Sequence, residues 1–178
     1  MTARGAVGAT GAGLLVLAAY MSTILAANWA SACWPALSVA GLWVPAGALC
    51  AGFVFSLRDL VHTMLGTRGV LAAIVIGIGL SWLVASPQIA VASAVAFAAS
   101  EVADSVVYAA LHTRPRLIAM VGSNAVGFVV DSLLFVPLAF GSWTAVAGHV
   151  AAKTAATVIA VAVAVVLAGR RPYLSGFR

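Results

Sequence analysis

The chain has 178 residues, of which nine are Lys or Arg and four are Asp or Glu, for a formal charge of +5. Apolar residues make up 64% and charged residues 7%, against about 25% charged in a soluble domain. So few charges cannot clothe a water-exposed surface, which excludes a soluble enzyme, a free nucleic-acid binder and a disordered tail.

A helix that crosses a bilayer needs about 20 mostly apolar residues. Six segments meet this, at roughly residues 7–28, 36–57, 69–86, 88–111, 116–140 and 143–169. Breakers separate them: Ala30-Ser31 to Pro35, Gly66 to Gly69, Ser86-Pro87, Arg114-Pro115 and Gly141-Ser142. The segments are too long and too continuously apolar for membrane strands, which alternate over about 10 residues. Helices also satisfy every backbone group internally, as lipid demands. The connections are short, so residues 1–178 read as one six-helix domain.

The arginines give the orientation. Arg4 precedes the first span, Arg58 and Arg68 lie between the second and third, Arg114 and Arg116 between the fourth and fifth, and Arg170, Arg171 and Arg178 after the sixth. With six spans all eight share one face, which the positive-inside rule makes cytoplasmic, with both termini inside. The basic balance is then a topology signal with anionic lipid as its secondary partner, and no nucleic acid is needed. Arg4, the apolar run and Ala30-Ser31-Ala32 share features with a signal peptide, but removing them would upset this placement, so they read as the first span. Cys33 lies in an outer loop and Cys50 about 20 Å deep, too far apart for a disulfide. No zinc spacing, phosphate loop or nucleophile elbow is present, and no cofactor is implied.

Ionisable groups inside spans are costly and mark cavities, partners or pathways. In the fourth span Glu101, Asp104 and Tyr108 share a face at helical spacing. In the fifth, Asn124 and Asp131 are two turns apart, with Phe128 and Phe135 continuing the stripe. In the sixth, His149 and Lys153 are one turn apart. Counting along each helix puts Glu101 about 20 Å, Asp131 about 14 Å and Lys153 about 15 Å from the outer surface. One outward-open pocket at mid-membrane is the economical expectation, with Asn28 near its mouth. Lys153 could instead pair with Asp131 or Glu101 and only lock the bundle. Arg58 and Asp59 read as an inner anchor and cap or as an inner gate. Tyr108 reads as an interfacial aromatic or a coupling residue, and His149 as a polar residue near the outer interface or a coupling residue. Trp29, Trp34, Trp82 and Trp143 read as belt residues, and Trp43, placed within the second span, as a belt residue or a stacking platform. Gly5, Gly8, Gly11 and Ala12 have close-packing spacing, for the bundle itself, a second copy or a coupling subunit.

These residues resemble the VUT family of YhhQ-type queuosine-precursor transporters. The resemblance lies in Ala92-Ser93, Ala96-Phe97, Ser100-Glu101, Asp104 and Val107-Tyr108, then Ser123-Asn124, Asp131-Ser132, Phe135 and Ala139-Phe140, with Lys153, Phe55, Asp59, Gly66 and Asn28. Ala27 stands where the family often has Ser, and some relatives carry Gln at the place of Glu101. The resemblance implies uptake of 7-cyano-7-deazaguanine or its aminomethyl analogue. It also implies a six-helix bundle similar to the substrate-binding subunits of energy-coupling-factor transporters. The chemistry is compatible. A carboxylate accepts from the N1–H and amino donors of a guanine-like edge, an amide or ammonium donates to its carbonyl, and Phe128 or Trp43 can sandwich the ring. The substrate set read this way is Asn28, Trp43, Glu101, Asp104, Asn124, Phe128, Asp131 and Lys153, with Glu101 on the donor edge. Arg58, Asp59, Tyr108 and His149 are gating or coupling candidates. Transport is either proton-coupled or driven by a separate ATPase module. The rivals are a transporter of another nucleobase or vitamin, an assembly protein, and a membrane enzyme using Glu101, Asp104 and Lys153.

Overall fold

The computed structural model describes residues 3–169 of the chain. Arg170, Arg171 and Arg178 lie outside these residues, and the side chains of Arg4 and Arg116 are likewise not described. The elements run α1 (Ala3–Cys33), β1 (Leu37–Val39), β2 (Leu42–Val44), α2 (Ala48–Val84), α3 (Pro87–Ala110), α4 (Arg116–Phe140) and α5 (Val146–Gly169). Five of them are helices long and apolar enough to cross a membrane. The surface is apolar, with Leu15, Val75, Leu83, Val102 and Val106 all exposed. Arg58, Asp131, His149 and Lys153 are buried. Polar groups inside and apolar groups outside is the arrangement a lipid solvent selects.

The second expected span is corrected in two respects. Residues 36–47 are not helical. Leu37 pairs with Val44, Ser38 with Trp43 and Val39 with Leu42 in an antiparallel hairpin. Ala40 and Gly41, at φ +51° and +79°, form the turn, the left-handed pair that the twist of a two-residue hairpin favours. Pro45, in the middle of the expected helix, lacks the amide that a helix interior needs. Trp43 is therefore a strand residue, not a helical one. At the other end the helix continues past residue 57, so Arg58 and Asp59 are helix-interior residues rather than a loop or cap.

As a straight rod the 37-residue α2 would be about 55 Å long, far more than the bilayer core of about 30 Å. It is not straight. Gly66 has φ +69° and ψ −175°, a conformation essentially confined to glycine. The chain reverses there, as three contacts with α1 establish. Gly47, before α2, abuts Ala27 and Ser31; Gly77, late in α2, faces Ile24; and Asn28 Nδ2 donates to Ser81 Oγ at 2.8 Å. Both ends of α2 thus meet the same stretch of α1, while Leu65 beside the bend packs on Gly13. Gly13, rather than Gly11, makes that close approach. Gly11 faces open space.

The other boundaries follow from local chemistry. Ser86 caps α3 by accepting from Ile89 N at 3.2 Å, with Pro87 in the first turn where a missing amide costs nothing. Gly141, at φ +67°, ends α4 in the left-handed cap. Gln88 donates to the otherwise free carbonyls of Leu138 and Ala139 at 3.2 and 3.1 Å, tying the start of α3 to the end of α4. One apolar core joins α3 and α4 through Ile89, Ala92, Ala96, Phe135 and Val136. A second joins α1, both arms of α2 and α3 through Tyr20, Val54, Val61, Val70, Ala73 and Phe97.

Gly66→Ala should lower thermal stability in detergent by about 1–3 kcal/mol, because an L side chain is strained at that backbone geometry. A melting temperature equal to the wild type would contradict the bend.

Candidate functional site

The ionisable residues inside the helices form two groups rather than one. The first centres on Arg58 in the first arm of α2. Its Nε donates to Glu101 Oε1 at 2.6 Å, a terminal nitrogen meets Asp59 at 2.5 Å, and another reaches Asp104 at 3.4 Å. Asn124 on α4 donates to the second oxygen of Asp59 at 3.2 Å. One guanidinium thus holds α2 to α3, and Asp59 extends the link to α4. Its forked donors suit several carboxylates at once. Three carboxylates against one cation leave this group two charges negative when all are ionised.

The second group centres on Lys153 of α5, which has no exposed surface. Its ammonium is hydrogen-bonded to Asp131 of α4 and lies 5.1 Å from the centre of the Phe55 ring, within cation–π range. Phe128 buttresses Phe55 edge-on, with centroids 4.8 Å apart. The approach of α2 to α5 depends on Gly52. A Cβ there would lie 2.9 Å from the Lys153 backbone, so only a residue without a side chain seats Phe55 under the ammonium. One turn before Lys153, the His149 ring stacks on Phe135 at 5.3 Å and 24°.

A cavity opens beside this pair. It is lined by Tyr20, Asn28 and Ser31 of α1, Val54, Phe55 and Ile78 of α2, Ser93 and Phe97 of α3, Asp131 and Phe135 of α4, and His149 and Lys153 of α5. About 60 Å³ is open to the centre of a water-sized sphere, several times the ~10–15 Å³ that one water requires. A second space lies under the hairpin between Trp34, Trp43, Pro45, Phe140 and Thr144, and Ser31 lines both. The hairpin is seated on α5 because Gly148 leaves room for the Trp43 carbonyl.

Of the residues singled out in the sequence, Asn28, Asp131, His149 and Lys153 come together on the cavity wall, with Phe128 directly behind it. Glu101, Asp104 and Asn124 do not line it. They belong to the Arg58 network. Trp43 is 54% exposed on the hairpin and Tyr108 41% exposed on α3, both away from the cavity. Sequence reasoning missed Tyr20 and Ser81. A lone tyrosine in the middle of an apolar span, far from either interface, was the available signal.

With this geometry in place, the comparison with known families is informative. Residues 80–168, 89 of 178 and so half the chain, match the family described as "Putative vitamin uptake transporter". The chain belongs to the vitamin uptake transporter family. The matched region contains Glu101, Asp104, Asn124, Asp131, His149 and Lys153, and so most of both polar groups. Neither a curated protein nor a solved structure matches the chain. Membership makes this a multi-pass membrane protein of a transporter family, not an enzyme family, acting on a small molecule within a lipid bilayer.

Removing one partner of a buried ion pair strands the other charge, at about 3–5 kcal/mol. Lys153→Ala and Asp131→Ala should each lower the melting temperature of this transporter sharply. Lys153→Met with Asp131→Leu should restore most of the loss. Single variants as stable as the wild type would show that the pair is not formed.

Proposed function

We propose that the chain imports a 7-deazaguanine base, 7-cyano-7-deazaguanine or its aminomethyl analogue, across the cytoplasmic membrane. The observation that supports this most is a cavity walled by aromatic rings and floored by a buried Lys–Asp pair, in a chain of a transporter family. A flat base with hydrogen-bonding edges needs aromatic faces and a few fixed polar groups. Phe55, Phe97 and Phe135 offer the faces, and Asn28, Asp131 and Lys153 offer the polar groups.

In this reading the two arms of α2 each cross the bilayer, giving six crossings with both termini cytoplasmic. The space beneath the hairpin is the outer vestibule and the cavity the binding chamber. The Arg58 network is the inner closure, and Glu101 acts there rather than on the donor edge of the base. Opening the inside breaks the Arg58 contacts to α3, and proton uptake by the surplus carboxylates is the coupling step. A separate ATPase module is the other way to drive the change, and the exposed face of α1 around Leu14 and Leu15 is where such a subunit would sit.

Binding and transport separate in this scheme. In proteoliposomes, Asp131→Ala should lose both binding and uptake of the cyano base. Arg58→Gln should keep binding within about threefold while uptake falls by about tenfold or more. An inward proton gradient should stimulate wild-type uptake. A wild type that binds neither deazaguanine would overturn the substrate assignment, and uptake indifferent to the gradient would overturn the coupling.

A further inference from the structure

The hairpin between α1 and α2 is built in a way that water alone does not support. Its pairing puts Leu37, Val39, Leu42 and Val44 on one face, since Leu37 opposes Val44 and Val39 opposes Leu42. Leu37, Val39 and Leu42 are exposed, and only Val44, at the root, is partly covered. From Pro35 to Gly47 the chain has no charged side chain. A two-stranded hairpin is marginal in water unless something covers its apolar face, and no described residue covers the outer part of this one.

The hairpin does not stand clear above the bundle. The Trp43 carbonyl lies against Gly148, the third residue of α5, so β2 runs beside the first turn of that helix. All five tryptophans of the chain are exposed at this same end. Trp29 and Trp34 lie where α1 finishes, with rings 5.3 Å apart, Trp82 where α2 finishes and Trp143 just before α5. The contacts of Asn28 with Ser81 and of Gly47 with Ala27 hold these places at one level. The far end, at the Gly66 bend and the turn between α3 and α4, exposes His62, Arg68, His112 and Arg114 instead. Tryptophan gathers at the boundary between membrane and water. Residues 29–47, 80–90 and 138–148, which make up the tryptophan-bearing end, contain no Asp, Glu, Lys or Arg, so no charged rim bounds a patch for a protein partner.

We propose that the hairpin is an interfacial anchor, with the face of Leu37, Val39 and Leu42 set into the boundary between headgroups and acyl chains of the leaflet at this end. β1 has no strand on its outer edge. Its free amides and carbonyls need water or headgroups, which keeps the strands out of the hydrocarbon. An uncharged segment calls for no lipid charge, so zwitterionic phospholipid suffices. Lipid supplies the cover that the protein does not, and fixes the hairpin over the space lined by Trp34, Trp43 and Phe140.

Spin labelling of the full-length protein in phosphatidylcholine vesicles tests this. Cys33→Ser and Cys50→Ala remove the native thiols, and Leu37→Cys, Val39→Cys or Leu42→Cys carries a single label. Val158→Cys on the exposed side of α5 gives the lipid reference, and Thr113→Cys in the turn between α3 and α4 the water reference. The measured quantity is the ratio of label collisions with oxygen, which concentrates in lipid, to collisions with a water-soluble nickel chelate. At Val39 and Leu42 this ratio should be about threefold or more above that at Thr113, and below that at Val158. Three positions on one face keep the result readable if one labelled variant fails to fold. A ratio equal to that at Thr113 would place the hairpin in water and overturn the proposal. A ratio equal to that at Val158 would place it in hydrocarbon and overturn the interfacial depth. Low accessibility to both reagents would show the face covered by a second copy or by the bundle, and would overturn the lipid assignment.

Discussion

A buried lysine ammonium is the constraint around which the interior is arranged. Lys153 has no exposed surface, so its charge is tolerable only with Asp131 beside it and an aromatic face beneath it. Each of these companions is supplied by a different element. Asp131 comes from α4, Phe55 from the first arm of α2, and Phe128 holds Phe55 in place. Gly52 lets α2 come close enough for this to happen. Buried pairs of this kind are often neutral for stability, so the pair serves less to strengthen the bundle than to fix where three helices meet and to leave a polar wall in an apolar interior.

The two polar groups have different charge balances, and this gives the bundle a direction. Around Lys153 one ammonium meets one carboxylate and the charges cancel. Around Arg58 three carboxylates share one guanidinium, and the group bridges α2, α3 and α4. The charge-balanced pair and the charge-rich network thus sit in separate places within the bundle.

Much of the bundle was legible in the sequence because lipid imposes simple rules. Ser86-Pro87 and Arg114-Pro115 mark helix starts by removing or capping amides, and Gly141 marks an end; α3 and α4 lie within a residue or so of the expected segments. The hairpin was not legible, because Leu37, Val39, Leu42 and Val44 are apolar and satisfy a hydropathy count in either conformation. Only Gly41 and Pro45 argued against a helix. The stripes Glu101–Asp104 and Asp131–Asn124 were visible, but periodicity places residues on one helix only. It could not reveal that Arg58, taken as a loop residue, continues the helix and draws Glu101 and Asp104 away from Lys153. Tyr20 is not legible as a site residue because a tyrosine in an apolar run resembles packing until its hydroxyl proves to have no partner among the described residues.

In the transport reading proposed above, substrate occupies the cavity beside Lys153 and Asp131. An experimental structure of the protein in nanodiscs with 7-cyano-7-deazaguanine would test it most directly. Ring density beside Lys153 and Asp131, with the Arg58 network closed, is the expected result. Density lodged at Arg58 and Glu101, or confined to the space under the hairpin, would contradict it.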